Sequence, residues 1–309
     1  MSGRLCRERC ATPVFHSHEA ARGREQVEIA IGTSPGIRQR RNDDGHLSEP
    51  IGPVATLFGV ADGFGSLGRG VASAGLALEA VRDFVRRRQR LGALRTRSTP
   101  GALRTLMLGA FEHANARLYA QGRSDDDFVA GGASLTAALV VGRHAYIGHV
   151  GDTRAYIQRL GRLELLTGDD AIFGEPLTGP RGAVGAQPRG VLWRSLGTQP
   201  KLEASVAHVE LLPGDQLVLC SDGIHRCVMA EEMNETLTGS STAAEAVTRV
   251  LALAKMRGTL DSATLVIARD MLSPAIPQPS GAAVQRSSSA LAGAIILVTL
   301  LILALTAFH

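Results

Sequence analysis

The chain has 309 residues, and 45% of them are hydrophobic, which is enough for one large domain or two small ones with a buried core. Its formal net charge is only +4, with 33 basic and 29 acidic residues interspersed, and this balance argues against nucleic acid as the main partner. The cysteines lack the pattern of a disulfide scaffold, and the N-terminus has no apolar segment, so we expect a reducing, cytoplasmic compartment. The spacings of the N-terminal cysteines and histidines do not match a finger-type zinc site.

The predicted elements begin after a polar, arginine-rich stretch, residues 1–25, which lacks hydrophobic periodicity and is expected to be a flexible leader. Residues 26–271 form the predicted folded domain. Its first helix covers about 70–89, where apolar side chains recur at helical spacing on one face: Val71, Ala74, Leu78, Val81 and Val85.

A second helix is introduced by Thr99 and Pro100, which are typical cap and first-turn residues, and a third is predicted near 242–255. The strand signals come in adjacent pairs joined by glycine turns, which indicates hairpins rather than parallel βαβ units. The predicted strands are 56–61, 134–141, 145–150, 154–158, 163–166, 216–220 and 263–268. Antiparallel strands with segregated helices predict an α+β sandwich.

The composition changes after the predicted domain. Residues 272–289 are rich in proline and serine, which predicts a flexible or extended linker. Residues 290–308 carry no ionisable side chain, and as a helix they would span about 28 Å at ~1.5 Å per residue, close to the ~30 Å core of a bilayer. We therefore expect a single-pass C-terminal transmembrane helix that tethers the domain on the cytoplasmic side. The alternative, a buried core helix, would have no partner element beside it.

Four short segments place aspartates beside predicted strands, and in three of them the aspartate is next to glycine or another carboxylate. They are Asn42-Asp43-Asp44-Gly45, Asp62-Gly63, Ser221-Asp222-Gly223 and Leu260-Asp261-Ser262. Taken singly, each is more typical of a turn than of a metal ligand. Strands of one sandwich could, however, carry these carboxylates to a shared end. Oxygen ligands delivered from several segments suit hard divalent cations such as magnesium and manganese.

Six motifs follow one another in order across about 27–269. They are Asn-Asp-Asp, Val-Ala-Asp-Gly-Phe-Gly, Gly-Ala-Ser-Leu-Thr-Ala-Ala, Val-Gly-Asp-Thr-Arg-Ala-Tyr, Cys-Ser-Asp-Gly-Ile and Leu-Asp-Ser-Ala-Thr-Leu-Val. This order resembles the metal-dependent type 2C serine/threonine protein phosphatases, the PPM family, in a bacterial form with a C-terminal membrane anchor. The resemblance implies a β-sandwich of two antiparallel sheets flanked by helices in four αββα layers. It also implies hydrolysis of phosphoserine and phosphothreonine in proteins, opposing a cognate serine/threonine kinase.

The same resemblance implies a centre of two divalent cations, magnesium or manganese. Asp62 would bridge the two ions, and the Gly63 carbonyl would bind one of them. The other implied ligands are Asp222 and Asp261, together with Asp43 and Asp44, which would bind directly or hold metal-bound waters. A water activated by the ions would then attack phosphorus in line, without a phosphoenzyme.

Asp152 resembles a residue that in this family helps to bind a weak third ion, although a hairpin-turn aspartate is an equally good interpretation. The usual second partner of that ion lies four residues after Asp222. This chain has Arg226 there, so we expect the third site to be weakened or absent.

The family commonly has a phosphate-binding arginine where this chain has Gln39. A one-residue bulge could bring Arg38 to the phosphate instead, because a guanidinium matches phosphate geometry in a bidentate manner. His225 is either a proton donor to the leaving group or, by preference, a packing residue of the following turn. Residues 167–193 resemble the flap that helps to select substrates, and a plain surface loop is the alternative.

Two other functions are compatible with these residues. Gln39 and Arg226 motivate a phosphatase-like scaffold that binds phosphoproteins without turnover. A hydrolase of small phosphomonoesters would use the same metal ligands and differ only in substrate preference.

Overall fold

The fold is seen in a computed structural model that describes residues 14–22, 25–37, 39, 41–65, 69–92, 94, 98–124, 131–172 and 191–269. In chain order its elements are β1 (Val14–Arg22), β2 (Glu25–Ser34), β3 (Asp44–Ile51), β4 (Ala55–Phe64), α1 (Arg69–Arg90), α2 (Pro100–Ser124), β5 (Gly132–Val141), β6 (His144–Val150), β7 (Arg154–Arg159), β8 (Arg162–Leu165), β9 (Ala171–Ile172), β10 (Val191–Leu192), β11 (Ser205–Glu210), β12 (Gln216–Cys220), α3 (Asp222–His225), α4 (Ala230–Thr238), α5 (Ala243–Met256) and β13 (Ala263–Arg269).

Two antiparallel sheets form the centre of the described fold. The first has the strand order β1-β2-β13-β12-β7-β8, and the second has the order β11-β6-β5-β4-β3, with a separate short ribbon of β9 and β10. The pairs β5–β6 and β7–β8 are hairpins, as the paired strand signals predicted, and β3–β4 is another. The link from β12 to β13 instead contains three helices, which lie against the first sheet.

Three hydrophobic cores separate four layers, which confirms the predicted α+β sandwich with flanking helices. The outer core between α1, α2 and the second sheet includes Phe111, and the core between the two sheets includes Phe58 and Leu219. The third core, between the first sheet and α5, includes Val247 and Ile267. Because both sheets are covered on both faces, central strands such as β5 are buried along their whole length and read as nearly continuous apolar runs.

The helices agree with the periodicity of the sequence. The face of α1 is buried at Ala74, Leu78, Val81 and Val85, whereas Val71, which the spacing also assigned to it, is 42% exposed near the start of the helix. Thr99 Oγ1 accepts a hydrogen bond from the Ala102 backbone at 3.3 Å, as an N-cap does.

Part of the predicted flexible leader, residues 1–25, has regular structure, and its residues 1–13 and 23–24 lie outside the described ranges. Val14–Arg22 forms strand β1, which pairs antiparallel with β2 at the edge of the first sheet. An edge strand needs only one neighbour to satisfy backbone hydrogen bonds, so a polar stretch without an apolar pattern can form it. The sequence signals also missed β3, β11 and α4.

The predicted linker and membrane anchor, 272–289 and 290–308, lie outside the described residues. Within the described ranges, no helix has the length and apolar character needed to cross a bilayer.

Candidate metal centre

Strand register places two of the predicted carboxylates side by side. Asp44 begins β3 and lies opposite Asp62 of β4, which in turn lies opposite Ser134 of β5. Directly opposed residues in an antiparallel sheet have Cβ atoms about 4.5–5.5 Å apart on the same face. The second sheet therefore delivers Asp44 and Asp62 as one row across its edge strand β3 and the neighbouring β4.

The first sheet brings Asp222 and Asp261 to the same end. Asp222 lies two residues after β12, and Asp261 lies two residues before β13, the neighbour of β12. Ser221 joins the sheets, because its Oγ donates to Asp44 Oδ2 at 2.7 Å and accepts from the Thr264 backbone at 2.9 Å. One hydroxyl thus fixes the register of the two halves of the site.

These segments enclose an open cleft of about 300 Å³. Asp44 lies behind its wall, bound to Ser221. The cleft is lined by five carboxylates and one guanidinium among its twelve residues: Gln39, Asp43, Asp62, Gly63, Phe64, Gly65, Ser134, Asp152, Leu192, Asp222, Arg226 and Asp261.

Two glycines allow the acidic segments to pack closely. A Cβ atom on Gly63 would lie 1.9 Å from the Gly70 carbonyl oxygen at the start of α1, and one on Gly223 would lie 2.0 Å from the Ser262 carbonyl oxygen. These overlaps are with backbone atoms, which cannot move aside as a side chain can. Gly223 is therefore required for the close contact between the Asp222 segment and the Asp261 segment.

The carboxylates of the cleft repel one another. Burial is the main cause of the rise in the pKa of Asp44 from 3.8 to about 7, and the charges of Asp222 and Asp261 add to it. Burial and the neighbouring aspartates likewise raise the pKa of Asp62 well above its ordinary range, and they raise that of Asp222 to about 6. A bound cation would offset the repulsion between the ionised carboxylates.

The donor set fits hard divalent cations. The Oδ1 atoms of Asp43, Asp44 and Asp222 are buried and have no hydrogen-bond partner, so each offers a free acceptor toward a ligand. Every donor in the set is an oxygen, as magnesium and manganese prefer. Across the described residues, no three His, Cys, Asp or Glu side chains converge closely enough to hold one ion by themselves. Ions in this cleft would therefore take further ligands from backbone carbonyls and water, as magnesium commonly does.

Gln39 contacts the Asp261 segment at the cleft. Its Nε2 donates to Asp261 Oδ1, and its Oε1 accepts from Ser262 Oγ at 2.5 Å. Ser262 Oγ in turn accepts from the Asp43 backbone at 3.0 Å. Gln39 thus orients two acidic segments at the position where the family has an arginine, while Arg38 lies outside the described residues.

Asp152 is held in a different way from the other carboxylates. Its Oδ1 accepts from Ser134 Oγ at 2.8 Å, and its Oδ2 accepts from the Arg226 guanidinium at 3.0 Å. His225 Nε2 lies 2.8 Å from the Asp152 backbone carbonyl, and burial lowers the pKa of His225 to about 4, so the ring is neutral near pH 7. His225 therefore fits the packing interpretation better than that of a proton donor.

Two aspartates within the predicted flap were missed. Asp170 Oδ2 accepts from the Gly151 backbone at 3.0 Å, and the Asp170 carboxylate accepts two hydrogen bonds from Arg194, at 2.9 and 2.6 Å. Asp169 forms a similar bidentate pair with Arg154. The sequence Gly168-Asp169-Asp170 contains paired carboxylates like Asp43-Asp44, but the arginine partners lie 15 and 24 residues away, so only the fold reveals the pairs. Residues 173–190 of the predicted flap lie outside the described ranges.

The fold is an α+β sandwich with a cleft of carboxylates at one end of its two sheets. Comparison with known proteins gives the family. Residues 31–263 match the family described as Protein phosphatase 2C. The chain belongs to the protein phosphatase 2C family.

Relatives of known name support this assignment. The chain is 30% identical over 246 residues to the serine/threonine protein phosphatase PstP of Mycobacterium tuberculosis, covering 78% of this chain and 45% of PstP. It thus spans less than half of that relative. It is 28% identical over 240 residues to the serine/threonine phosphatase stp of Listeria monocytogenes, covering 76% of this chain and 92% of stp.

A solved structure has the same fold. It is the catalytic domain of the serine/threonine protein phosphatase PstP in complex with two manganese ions, with a TM-score of 0.63 and 25% identity. The match covers 79% of this chain and 97% of that domain.

Proposed function

We propose that this protein hydrolyses phosphoserine and phosphothreonine in proteins with the help of two divalent cations, magnesium or manganese. The observation that carries the proposal is the cleft of five carboxylates in a chain of the protein phosphatase 2C family. The cleft lies at one end of the two packed sheets. With the one guanidinium, these groups carry a formal charge of minus four, which two divalent ions balance.

Asp62, the Gly63 carbonyl, Asp222 and Asp261 would hold the ions, with Asp43 and Asp44 contributing directly or through water. When bound, the ions supply water activation and neutralise charge on the phosphoryl oxygens. The unpaired buried oxygens of Asp43, Asp44 and Asp222 support this assignment.

The protein's own contribution is to hold these carboxylates in place before substrate arrives. Ser221 orients Asp44, and Gln39 orients Asp261. Preorganised charge of this kind costs no reorganisation during the reaction.

The proposal is tested by phosphate release from a phosphothreonine peptide. The purified protein should be inactive with a chelator and active with manganese, and Asp222→Asn should abolish that activity. A folded wild-type protein that releases no phosphate with either magnesium or manganese would indicate a non-catalytic scaffold. Turnover of p-nitrophenyl phosphate but of no phosphopeptide would indicate a small phosphomonoester hydrolase.

Arg38 is proposed to bind the phosphoryl group of the substrate, because the neighbouring Gln39 is engaged by Asp261 and Ser262. Arg38→Ala should lower kcat/KM on p-nitrophenyl phosphate by about 10–100-fold, since a charged hydrogen bond contributes about 1.5–3 kcal/mol. Arg41→Ala, an exposed arginine of the same segment, is the matched control and should change it little. Equal effects of the two substitutions would rule out this role for Arg38.

The proposed partners are phosphorylated proteins and the serine/threonine kinase that modifies them. Residues 290–308 are proposed to anchor the protein in the membrane with the catalytic domain in the cytoplasm, on the basis of their length and lack of charge. Deleting 290–309 should release a soluble, active domain from the membrane fraction. Loss of folding in this truncation would instead place the tail in the core.

A further inference from the structure

We propose that the guanidinium of Arg226 is a resident cation that takes the place of a third divalent ion, so that this chain operates with two ions only. The inference rests on the proposed function, because it concerns the same cleft. It assigns Arg226 as a positioning residue for Asp152 and Asp222.

The geometry around Arg226 carries the inference. Its Nη2 atom lies 3.0 Å from Asp152 Oδ2 and 3.1 Å from Asp222 Oδ2, so one nitrogen joins the carboxylate of the β6–β7 turn to the carboxylate that begins α3. The side chains of Arg226, Asp152 and Asp222 are only 11%, 5% and 6% exposed. Two buried carboxylates that contact the same nitrogen can both stay ionised when a positive charge lies between them, and a guanidinium or a metal ion can supply it.

The surroundings hold Arg226 and Asp152 in this arrangement. Arg226 caps the short helix α3, and its backbone N–H donates to the Asp222 carbonyl at 3.0 Å. Asp152 is fixed at its other oxygen by Ser134 and at its backbone by His225. Both carboxylate oxygens of Asp152 are therefore occupied by protein donors, unlike those of Asp43 and Asp222, which keep an unpaired oxygen.

The charges of the cleft agree with this assignment. Five lining carboxylates less one guanidinium leave a charge that two divalent ions neutralise. If Arg226 were an aspartate, six carboxylates would need a third divalent ion for the same balance. Arg226 thus makes a third ion unnecessary, and it competes for the carboxylates that would bind one.

The test counts manganese ions by equilibrium dialysis and metal analysis. Wild-type protein should bind two ions per chain, and Asp152→Asn should also bind two. Arg226→Asp should gain a third, weaker ion, seen as an additional rise in thermal stability at high manganese concentration. The double variant Arg226→Asp, Asp152→Asn should return to two, because the new site needs the carboxylate of Asp152.

Arg226→Ala provides a second variant if Arg226→Asp does not fold, and it too should bind more manganese than the wild type at saturation. The proposal is overturned if wild-type protein binds three ions and Asp152→Asn binds two, since Asp152 would then be a ligand despite Arg226. It is also overturned if the folded Arg226 variants bind only two ions. In both cases the proposed metal-dependent phosphatase activity would stand. Wild-type protein that binds no ion would overturn both proposals.

Discussion

The cleft has two walls that treat negative charge in opposite ways. The acidic wall, formed by Asp43, Asp62 and Asp261, contains no basic side chain among its described lining residues. The ion-pair wall, formed by Ser134, Asp152 and Arg226, satisfies its carboxylate with a hydroxyl and a guanidinium. Asp222 lies between them and contacts Arg226.

The difference shows where a cation is needed. On the acidic wall, burial and like charges raise the pKa of Asp62, whereas the ion pairs of the other wall are already balanced within the protein. Buried charges persist in proteins when they are paired or when they coordinate metals. We therefore expect metal ions to bind at the acidic wall, and we expect the ion-pair wall to be rigid.

The largest effect should come from removing a charge of the acidic wall. Asp62→Asn should lower phosphopeptide turnover by about a thousandfold or more, because metal-ion stabilisation of the transition state is worth several kcal/mol. The same variant should be more heat-stable than wild type in chelator, since it removes like-charge repulsion. Steady-state kinetics and thermal unfolding check both expectations. Turnover above a tenth of the wild-type rate would contradict the bridging role of Asp62.

The second-largest effect should come from disturbing the packing between the Asp222 segment and the Asp261 segment. Gly223→Ala places a methyl group 2.0 Å from the Ser262 carbonyl oxygen and should cost about 1–3 kcal/mol of stability together with weaker manganese binding. Gly75→Ala in α1, where no atom lies within 4 Å of the new Cβ, is the matched control and should be neutral or stabilising. Chemical unfolding measures both. Equal effects would show that the close approach does not constrain the site.

The rigidity of the ion-pair side should extend to Arg194. Arg194→Ala leaves the buried Asp170 carboxylate without its bidentate partner and should cost about 1–3 kcal/mol. Arg257→Ala removes an exposed pair with Glu232 and should cost less than Arg194→Ala, because solvent screens exposed charges. The free energies of unfolding of the two variants compare the pairs directly. A smaller cost for Arg194→Ala would mean that Asp170 is not anchored by this arginine.

The smallest expected effect is the pH dependence of the metal-free protein. Asp44 and Asp222 have raised pKa values of about 7 and 6, so between pH 4 and these values the folded state binds more protons than the unfolded chain. Asp44 and Asp222 should therefore contribute less stability in chelator as pH rises from 5 to 7.5. Buried His225, whose pKa is lowered to about 4, contributes in the opposite direction up to the ordinary histidine pKa of 6.5, so the carboxyl contribution is read from the difference between variants. Stabilisation by manganese should grow over the same range, because protons no longer compete with the ion.

Thermal unfolding at several pH values measures this trend, and Asp44→Asn should flatten it. A stability difference between wild type and Asp44→Asn that stays constant from pH 5 to 7.5 would contradict the raised pKa of Asp44.

Much of the acidic wall could be predicted from the sequence. Asp62 and Asp222 lie in short motifs at the ends of apolar strands, so local pattern and motif order were enough to bring them together. The apolar spacing of α1 and the cap at Thr99 similarly predicted two helices at nearly their observed bounds.

The ion-pair wall could not be predicted in the same way. Arg226 was recognised only as a departure from the family, because its contact with Asp152 joins positions 74 residues apart. The pair of Asp170 with Arg194 and the edge strand β1 likewise depend on partners distant in sequence or on backbone pairing alone. Such features carry no local signal.

The central claim, that the acidic cleft is a two-ion centre, is tested most directly by counting the manganese ions bound to the wild-type protein at pH 7.5. Equilibrium dialysis should give two ions per chain at saturation, and Asp222→Asn should reduce the number. A folded wild-type protein that binds fewer than two ions at saturation would contradict the account.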